Sequence, residues 1–166
     1  MRALPLLALL LVAGCGASAG AGPGACTAIG APAGISVTVA PGSVAGEATA
    51  ATLETCWAQS CRSSRVMLHP TTEAVDTGCT GDRPEDVCSA EVRETGEKDG
   101  FADVPGLPEQ QVRVTLTITG ADGGELTRQT LDLTPGPVYP NGKDCGVAGP
   151  QAQLDVAADG TVRTGT

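Results

Sequence analysis

The chain has 166 residues and carries 10 lysines and arginines against 19 aspartates and glutamates, a formal net charge of −9. This length fits a single domain. The negative charge argues against nucleic acid as a partner, because phosphate backbones require basic contacts. Tryptophan, tyrosine and phenylalanine occur once each. The core must therefore be built from Val, Leu, Ile and Ala, and we expect covalent cross-links to supplement it.

The first residues have the layout of an export signal. Met1 and Arg2 give a positive start, residues 3–12 form an apolar run, and small residues follow. The run is too short to cross a bilayer, which takes about 20 apolar residues. A charged, then apolar, then small segment is typical of a secretory signal peptide. We therefore predict a signal peptide over residues 1–14.

The stretch Val12-Ala13-Gly14-Cys15, which closes this run, resembles the lipobox of bacterial lipoproteins. The resemblance implies that the Cys15 thiol is alkylated by a diacylglyceryl group, and that this anchor holds the protein on the extracytoplasmic face of the cell membrane. The alternative is an ordinary signal peptide cut after an alanine, with Cys15 left as a stray thiol. Abundant Ala and Gly, an excess of Arg over Lys and a single Asn favour an actinobacterial origin.

Residues 15–30 are predicted to be the acylated cysteine and a tether. Residues 16–25 consist of Gly, Ala, Ser and Pro with no periodic pattern. Such a segment has no apolar side chains large enough to pack, so we expect it to act as a flexible spacer. The remaining residues, 31–166, are predicted to form one domain.

Six cysteines remain after Cys15, an even number that is typical of a disulfide framework in an exported domain. Zinc sites and redox motifs favour pairs of cysteines with two residues between them (Cys-x-x-Cys), and no such pair occurs in the sequence. Six cysteines allow about 15 pairings. We favour two short loops that local turns could close, with a third bridge between the two ends of the domain: Cys56–Cys61, Cys79–Cys88 and Cys26–Cys145.

Several segments alternate apolar and polar residues, which is the pattern of a strand with one buried face. In the N-terminal half these are residues 35–39, 48–57 and 61–68, with a turn at Gln59-Ser60. His69-Pro70 is expected to end the third strand, and the polar residues 71–85 are predicted to form a loop. Further strands are expected at 87–93 and 101–104, separated by a turn at 96–100.

The C-terminal half contains the clearest strand, residues 111–119, in which Val, Leu and Ile alternate with Arg and Thr. A glycine-rich Asp-Gly turn and a returning strand at 125–133 predict a hairpin. The apolar parity changes between Leu126 and Leu131, which predicts a bulge or a bend. A proline-rich loop at 135–150 and strands at 151–156 and 161–164 complete the chain, and no segment shows helical periodicity.

Many short strands joined by turns predict an all-β protein, an immunoglobulin-like or transthyretin-like β-sandwich stapled by disulfides. The C-terminal half resembles a group of small actinobacterial lipoproteins of unassigned function. The residues that carry this resemblance are Gly106-Leu107-Pro108, the strand at 112–118, the Asp-Gly turn and Pro140-Asn141-Gly142-Lys143-Asp144-Cys145. It supports the fold and implies no activity.

Residues suited to catalysis are few. His69 is the sole histidine, it precedes a proline, and no Gly-x-Ser-x-Gly motif accompanies it. The acidic pairs Glu85/Asp86 and Glu91/Glu94 fit solvated surfaces, and no calcium-loop or phosphate-loop spacing occurs. We therefore expect no catalytic, metal or cofactor site.

The sequence thus favours a membrane-anchored, non-enzymatic binding or structural module of the cell envelope, with an unidentified envelope protein or ligand as partner. Two alternatives remain open: a secreted hydrolase using His69 and a thiol-redox protein using Cys56 and Cys61. For a binding role, recognition is expected on the loops at 71–85 and 135–150, since loops on a rigid scaffold commonly carry function.

Overall fold

A computed structural model describes residues 26–165 of the chain. Nine strands form two sheets. In chain order the elements are β1 (Gly34–Val39), helix α1 (Ser43–Glu47), β2 (Ala48–Trp57), β3 (Ser60–Met67), β4 (His69–Cys79), β5 (Cys88–Asp103), β6 (Val112–Gly120), β7 (Glu125–Leu133), a single 3₁₀ turn (Lys143–Cys145), β8 (Gln151–Val156) and β9 (Val162–Thr164).

The five-stranded sheet has the order β4-β5-β1-β8-β9 and the four-stranded sheet the order β3-β2-β6-β7. All pairs are antiparallel except β1 and β8, which run parallel from Gly34 opposite Gln151 to Val39 opposite Val156. The predicted all-β, disulfide-stapled sandwich is therefore confirmed. Its assignment to the immunoglobulin-like or transthyretin-like type stays a prediction.

The core lies between the two sheets and consists of aliphatic side chains, as the scarcity of rings requires. Every second residue of β1 and β6 is buried, including Val37, Leu116 and Ile118 at 0% exposure. Removing a side chain of this size from water contributes roughly 1.5–3 kcal/mol. The alternating pattern of the sequence is thus the pattern of the two inner faces.

The strands predicted from alternation are confirmed: β2, β7 and β8 have the predicted bounds, β1 differs by one residue at one end, and β3 and β6 are shifted by one residue at both ends. The Asp-Gly turn closes the β6–β7 hairpin through a hydrogen bond from the Gly120 N–H to the Gly124 carbonyl. The predicted bulge lies at Leu126, because Ile118 pairs with Thr127 while Thr119 pairs with Glu125. The β2–β3 turn falls at Ala58-Gln59, both with positive φ, one residue before the predicted position.

The loop predicted at residues 71–85 is wrong. Most of it is β4, which pairs with β5 over its whole length, and the connecting loop is only residues 80–87. Pro70 does not interrupt the strand because β4 lies at the edge of its sheet. On the outer side of an edge strand no backbone N–H is needed for pairing, so a proline is tolerated there. The segment has no buried face, so its sequence has no alternation to reveal a strand.

The turn predicted at residues 96–100 is also wrong, since β5 continues from Cys88 to Asp103. Gly96, with φ +80°, lies in an irregular stretch where Thr72 pairs with Glu94 but Pro70 pairs with Lys98. A Cβ at Gly100 would lie 2.4 Å from Val66 Cγ1, so glycine there permits close packing against β3. These glycines indicate a bulge and a close approach, which sequence alone does not distinguish from a turn.

The short helix α1 was not predicted. It spans five residues, Ser43–Glu47, and buries only Ala45. Little more than one helical turn is too short to establish a 3.6-residue period.

All three predicted disulfides are present: Cys26–Cys145, Cys56–Cys61 and Cys79–Cys88. The second and third join residues that are direct cross-strand neighbours, in β2–β3 and β4–β5 respectively. The first closes a sequence separation of 119 residues. The short bridges fasten hairpins, and the long one fastens the two ends of the domain.

Candidate functional site

Residues 26–33, the N-terminal strap, are fastened along the proline-rich loop before β8. Besides the Cys26–Cys145 bond, the Asn141 side chain makes two hydrogen bonds to the Ile29 backbone: Oδ1 accepts from the N–H at 3.2 Å and Nδ2 donates to the carbonyl at 2.8 Å. Asn141 thereby pairs with an extended backbone as another strand would. From its local sequence Asn141 is predicted only as a turn residue, and its being the sole asparagine of the chain is the one signal of a further role.

The strap continues directly into the sheet. The Gly149 N–H donates to the Ala31 carbonyl at 3.2 Å, and the Gln151 side chain donates to the Pro32 carbonyl at 2.8 Å. Residues 26–30, which were assigned to the tether, are therefore held against the domain. The tether residues before Cys26, together with Cys15, lie outside the described residues.

Three exposed apolar side chains, which we call the strap patch, lie on the strap and the loop it contacts: Ile29 (58% exposed), Tyr139 (40%) and Val147 (58%). Residues 26–33 contain no charged side chain, and residues 135–151 contain one cation, Lys143, and one anion, Asp144. These two segments together thus have no net charge, although the chain as a whole is strongly acidic.

The opposite end of the sandwich carries a projecting pair of strands, the hairpin arm (residues 72–94). Gly34 pairs with Asp103 and Val39 pairs with Lys98, so β5 leaves the sheet beyond the end of β1 that is farther from the strap. No residue from 72 to 94 is buried. Ten residues from Cys88 to Glu97 extend at most about 33 Å at the usual rise per residue.

The hairpin arm presents two open backbone edges. β4 is the outer strand of its sheet, and β1 pairs with β5 only from Lys98 onward. On one face the register brings Ala74 opposite Val92 and Asp76 opposite Ala90, and Val92 is 73% exposed. Unpaired N–H and C=O groups along such edges are the groups by which a partner strand is added.

The arm is rich in negative charge. Residues 72–94 contain seven carboxylates and two arginines. One arginine, Arg93, donates to Glu91 at 3.1 Å on the exposed surface. Clustered charge of one sign on a projecting element attracts partners of the opposite sign and repels further copies of the same chain.

The base of the arm is held by polar contacts. The Thr71 and Thr95 hydroxyls lie 2.5 Å apart, and Thr71 also donates to the Glu97 carbonyl at 3.2 Å. Lys98 Nζ donates to the Ala48 carbonyl at the start of β2. Together with the Cys79–Cys88 bridge at the tip, these contacts fix both ends of a strand pair that has no core of its own.

An open cleft of about 630 Å³ lies where the end of β7 and the residues after it meet β8 and β9. Its lining is mainly amide and hydroxyl side chains, and its one carboxylate, Asp132, accepts from Arg113 Nε at 2.9 Å and Nη2 at 3.3 Å. Hydrogen bonding to Asp132 raises the pKa of Arg113 above its ordinary value. The cleft can hydrogen-bond a polar ligand, and its carboxylate is already engaged.

His69 is the exposed first residue of β4 and lies opposite Asp99 in the register. A catalytic triad requires its histidine to hydrogen-bond both a serine and a carboxylate. Within residues 26–165 the His69 side chain makes neither hydrogen bond. The hydrolase alternative therefore gains no geometric support from the described part of the chain.

Glu54 and the Cys56–Cys61 bridge form the one group of potential metal-ligating side chains that meets within the described residues. The two sulfur atoms are bonded to each other, and Cys56 Sγ lies 3.9 Å from Glu54 Oε1. Metal coordination uses thiolates, so the group does not offer these ligands in its disulfide form. For the redox alternative, the structure gives only the oxidised state.

Among residues 26–165, no helix is long and apolar enough to span a bilayer. Comparisons with known proteins add no assignment, since no protein-family model, curated protein or solved structure matches the chain. Besides the cleft, the geometry offers two features for function at opposite ends of one sandwich: the strap with its apolar patch and the acidic hairpin arm.

Proposed function

We propose that this protein is a lipid-anchored module of the cell envelope, held on the extracytoplasmic face of the membrane through Cys15, that binds another envelope component with its hairpin arm. The observation that carries the proposal is the placement of the arm. The chain enters the sandwich at the strap, beside Gly34, and the arm leaves beyond Val39 at the other end of the same strand. A protein anchored before the strap presents its arm away from the anchor.

The anchor side of the proposal is supported by the lipobox resemblance at Cys15. Burial in lipid contributes about 0.8 kcal/mol for each CH₂ group, and stable attachment takes two acyl chains, which a diacylglyceryl group provides. Eleven residue steps separate Cys15 from Cys26, so the strap lies within about 40 Å of the anchored residue.

The binding side is supported by the exposure of the arm. An isolated two-stranded hairpin is marginal in water, yet this arm has no buried residue and is fixed by a disulfide at its tip. The arrangement keeps two open strand edges and an exposed Val92 available. We therefore assign the arm, with the acidic loop 80–87 at its tip, as the recognition surface for a cationic protein partner.

The proposal is tested by site-specific photo-cross-linking in intact cells. A photoreactive amino acid replaces Val92 on the arm or, as the matched control, Thr130, an exposed strand residue on the sandwich. We expect a discrete cross-linked product from position 92 and none from position 130. Equal products from both positions, or none from 92, would overturn the assignment of the arm.

The same cells test the anchor. The variant Cys15→Ala is expected to release an intact domain with three bridges into the medium, while the wild-type chain remains with the membrane fraction. Loss of the position 92 product in the released variant, with the sandwich folded, indicates that the partner is itself in the envelope. A Cys15→Ala chain that remains on the membrane contradicts lipid anchoring.

A further inference from the structure

We infer that the strap patch, Ile29, Tyr139 and Val147, is seated in the lipid headgroup region, so that the sandwich rests on the membrane at its strap end and the arm points outward. This inference rests on the proposed lipid anchor and adds an orientation to it. The occupant of the patch is the bilayer surface next to the acyl chains.

The three side chains belong to one fastened assembly. Both backbone hydrogen bonds of Ile29 are made to Asn141, the Tyr139 carbonyl accepts from the Gly142 N–H at 3.0 Å, and the Ala148 N–H donates to the Val138 carbonyl at 2.9 Å. The Cys26–Cys145 bond closes the same assembly. The patch is therefore presented by a cross-linked surface rather than by independent loops.

The chemistry of the patch suits the interface between water and lipid. Tyrosine has an apolar ring with a polar tip and is enriched at membrane interfaces, and Ile29 and Val147 are each 58% exposed to solvent. The nearby Lys143 is also exposed and has a long aliphatic stem with a terminal charge. Burial of such side chains at a membrane surface removes apolar area from water.

Charge distribution selects this end of the molecule. Headgroup regions of bacterial membranes that contain anionic lipids repel acidic surfaces. Residues 72–94 carry seven carboxylates against two arginines, whereas the strap and residues 135–151 have no net charge. The strap end is therefore the end that approaches lipid with the least repulsion, and it is also the end nearest to the predicted anchor in sequence.

The orientation is measured on the acylated full-length protein in lipid nanodiscs of phosphatidylcholine and anionic phosphatidylglycerol that contain a spin-labelled phosphatidylcholine. Paramagnetic broadening of backbone amide signals reports proximity to the bilayer. We expect at least threefold stronger broadening for residues 27–30 and 139–147 than for residues 88–96 of the arm. The double variant Ile29→Ser with Val147→Ser is expected to reduce that ratio to near one, and the matched control Val92→Ser to leave it unchanged.

The outcomes separate the two proposals. A chain that is not acylated and does not stay on the nanodisc overturns the proposed anchor. A chain that stays on the nanodisc but shows equal broadening at both ends overturns the seat and leaves the anchor intact. Broadening that is absent at the strap while the protein sediments as a dimer shows that the patch is covered by a second copy, which also overturns the seat.

Discussion

The sandwich and the hairpin arm are built from the same secondary structure but are stabilised differently. In the sandwich, the strands bury side chains between the two sheets, and residues such as Val114 and Leu154 are at 0% exposure. In the arm, β4 and β5 pair from Thr72 opposite Glu94 to Cys79 opposite Cys88, and no side chain there is buried. The sandwich is held by apolar packing, whereas the arm is held by backbone pairing and a covalent bridge.

Strand pairing alone therefore does not determine how strongly a region of this protein resists unfolding. An internal hydrogen bond replaces hydrogen bonds to water, so it stabilises the fold by only about 0.5–1.5 kcal/mol. Buried apolar side chains stabilise the fold because their surface is removed from water. We therefore expect the arm to open locally while the sandwich stays folded, since few buried contacts and exposed hydrogen bonds mark regions of low local stability.

Removal of a disulfide is expected to change stability most, and by very different amounts for the long bridge and for the short bridge of the arm. Replacing Cys26 and Cys145 with serine frees a loop of 119 residues, which on the chain-entropy model lowers the free energy of unfolding by about 5 kcal/mol. Replacing Cys79 and Cys88 with serine is expected to change the free energy of unfolding of the sandwich by less than about 1 kcal/mol. The reason is that the arm is expected to open locally while the sandwich stays folded. Urea unfolding followed by Trp57 fluorescence measures both values.

Native-state hydrogen exchange provides the control for this comparison. In the Cys79→Ser, Cys88→Ser variant, amides of residues 72–94 should exchange faster while those of β6 keep their protection. A loss of sandwich stability as large as that caused by opening the Cys26–Cys145 bridge would show that the arm and the sandwich unfold as one unit.

A matched pair of substitutions gives the second effect. Val114 is 0% exposed in β6, and Val92 is 73% exposed in the arm. We expect Val114→Ala to lower the free energy of unfolding by roughly 2 kcal/mol, since it removes buried methyl groups and leaves a cavity. Val92→Ala should remain within about 0.5 kcal/mol of the wild type. Similar losses for both variants would mean that Val92 is covered in solution.

The smallest effect concerns the turn before β9. Asp159 Oδ1 accepts from the Thr161 N–H at 2.9 Å, and this backbone hydrogen bond lowers the pKa of Asp159 below its ordinary value. The contribution to stability is therefore present above the unfolded-state pKa of about 3.9 and is lost as pH falls through the lower folded-state value. Melting temperatures measured from pH 2 to 7 should be higher for wild type than for Asp159→Asn near neutrality and should converge at acid pH. A difference independent of pH contradicts this origin.

Sequence reasoning succeeded where one face of a strand is buried. Residues 111–119 alternate because Val112, Val114, Leu116 and Ile118 are buried in the core. The alternation in the sequence therefore directly predicts which face of the strand is packed. The two short disulfides were predictable because strand neighbours close to each other in sequence bring cysteines together. The long Cys26–Cys145 bridge followed as the remaining pair.

Sequence reasoning failed where no face is buried. The polar residues of β4 show no alternation, so a strand in the arm was read as a loop. The strap contacts were also missed, because an asparagine that pairs with a backbone 112 residues away has the same local sequence as one in a turn. The strap contact depends on a partner far along the chain, whereas β4 was missed because it has no buried face, and both features belong to the regions that we assign to function.

The parallel pairing of β1 with β8 governs the order in which the sheet can form. β1 lies between β5 and β8, and its second neighbour begins at Gln151, close to the end of the described chain. During synthesis the central strand of this sheet is therefore made more than 100 residues before its neighbour β8. Because such distant pairings slow folding, the five-stranded sheet stays incomplete until β8 has been made and has paired with β1.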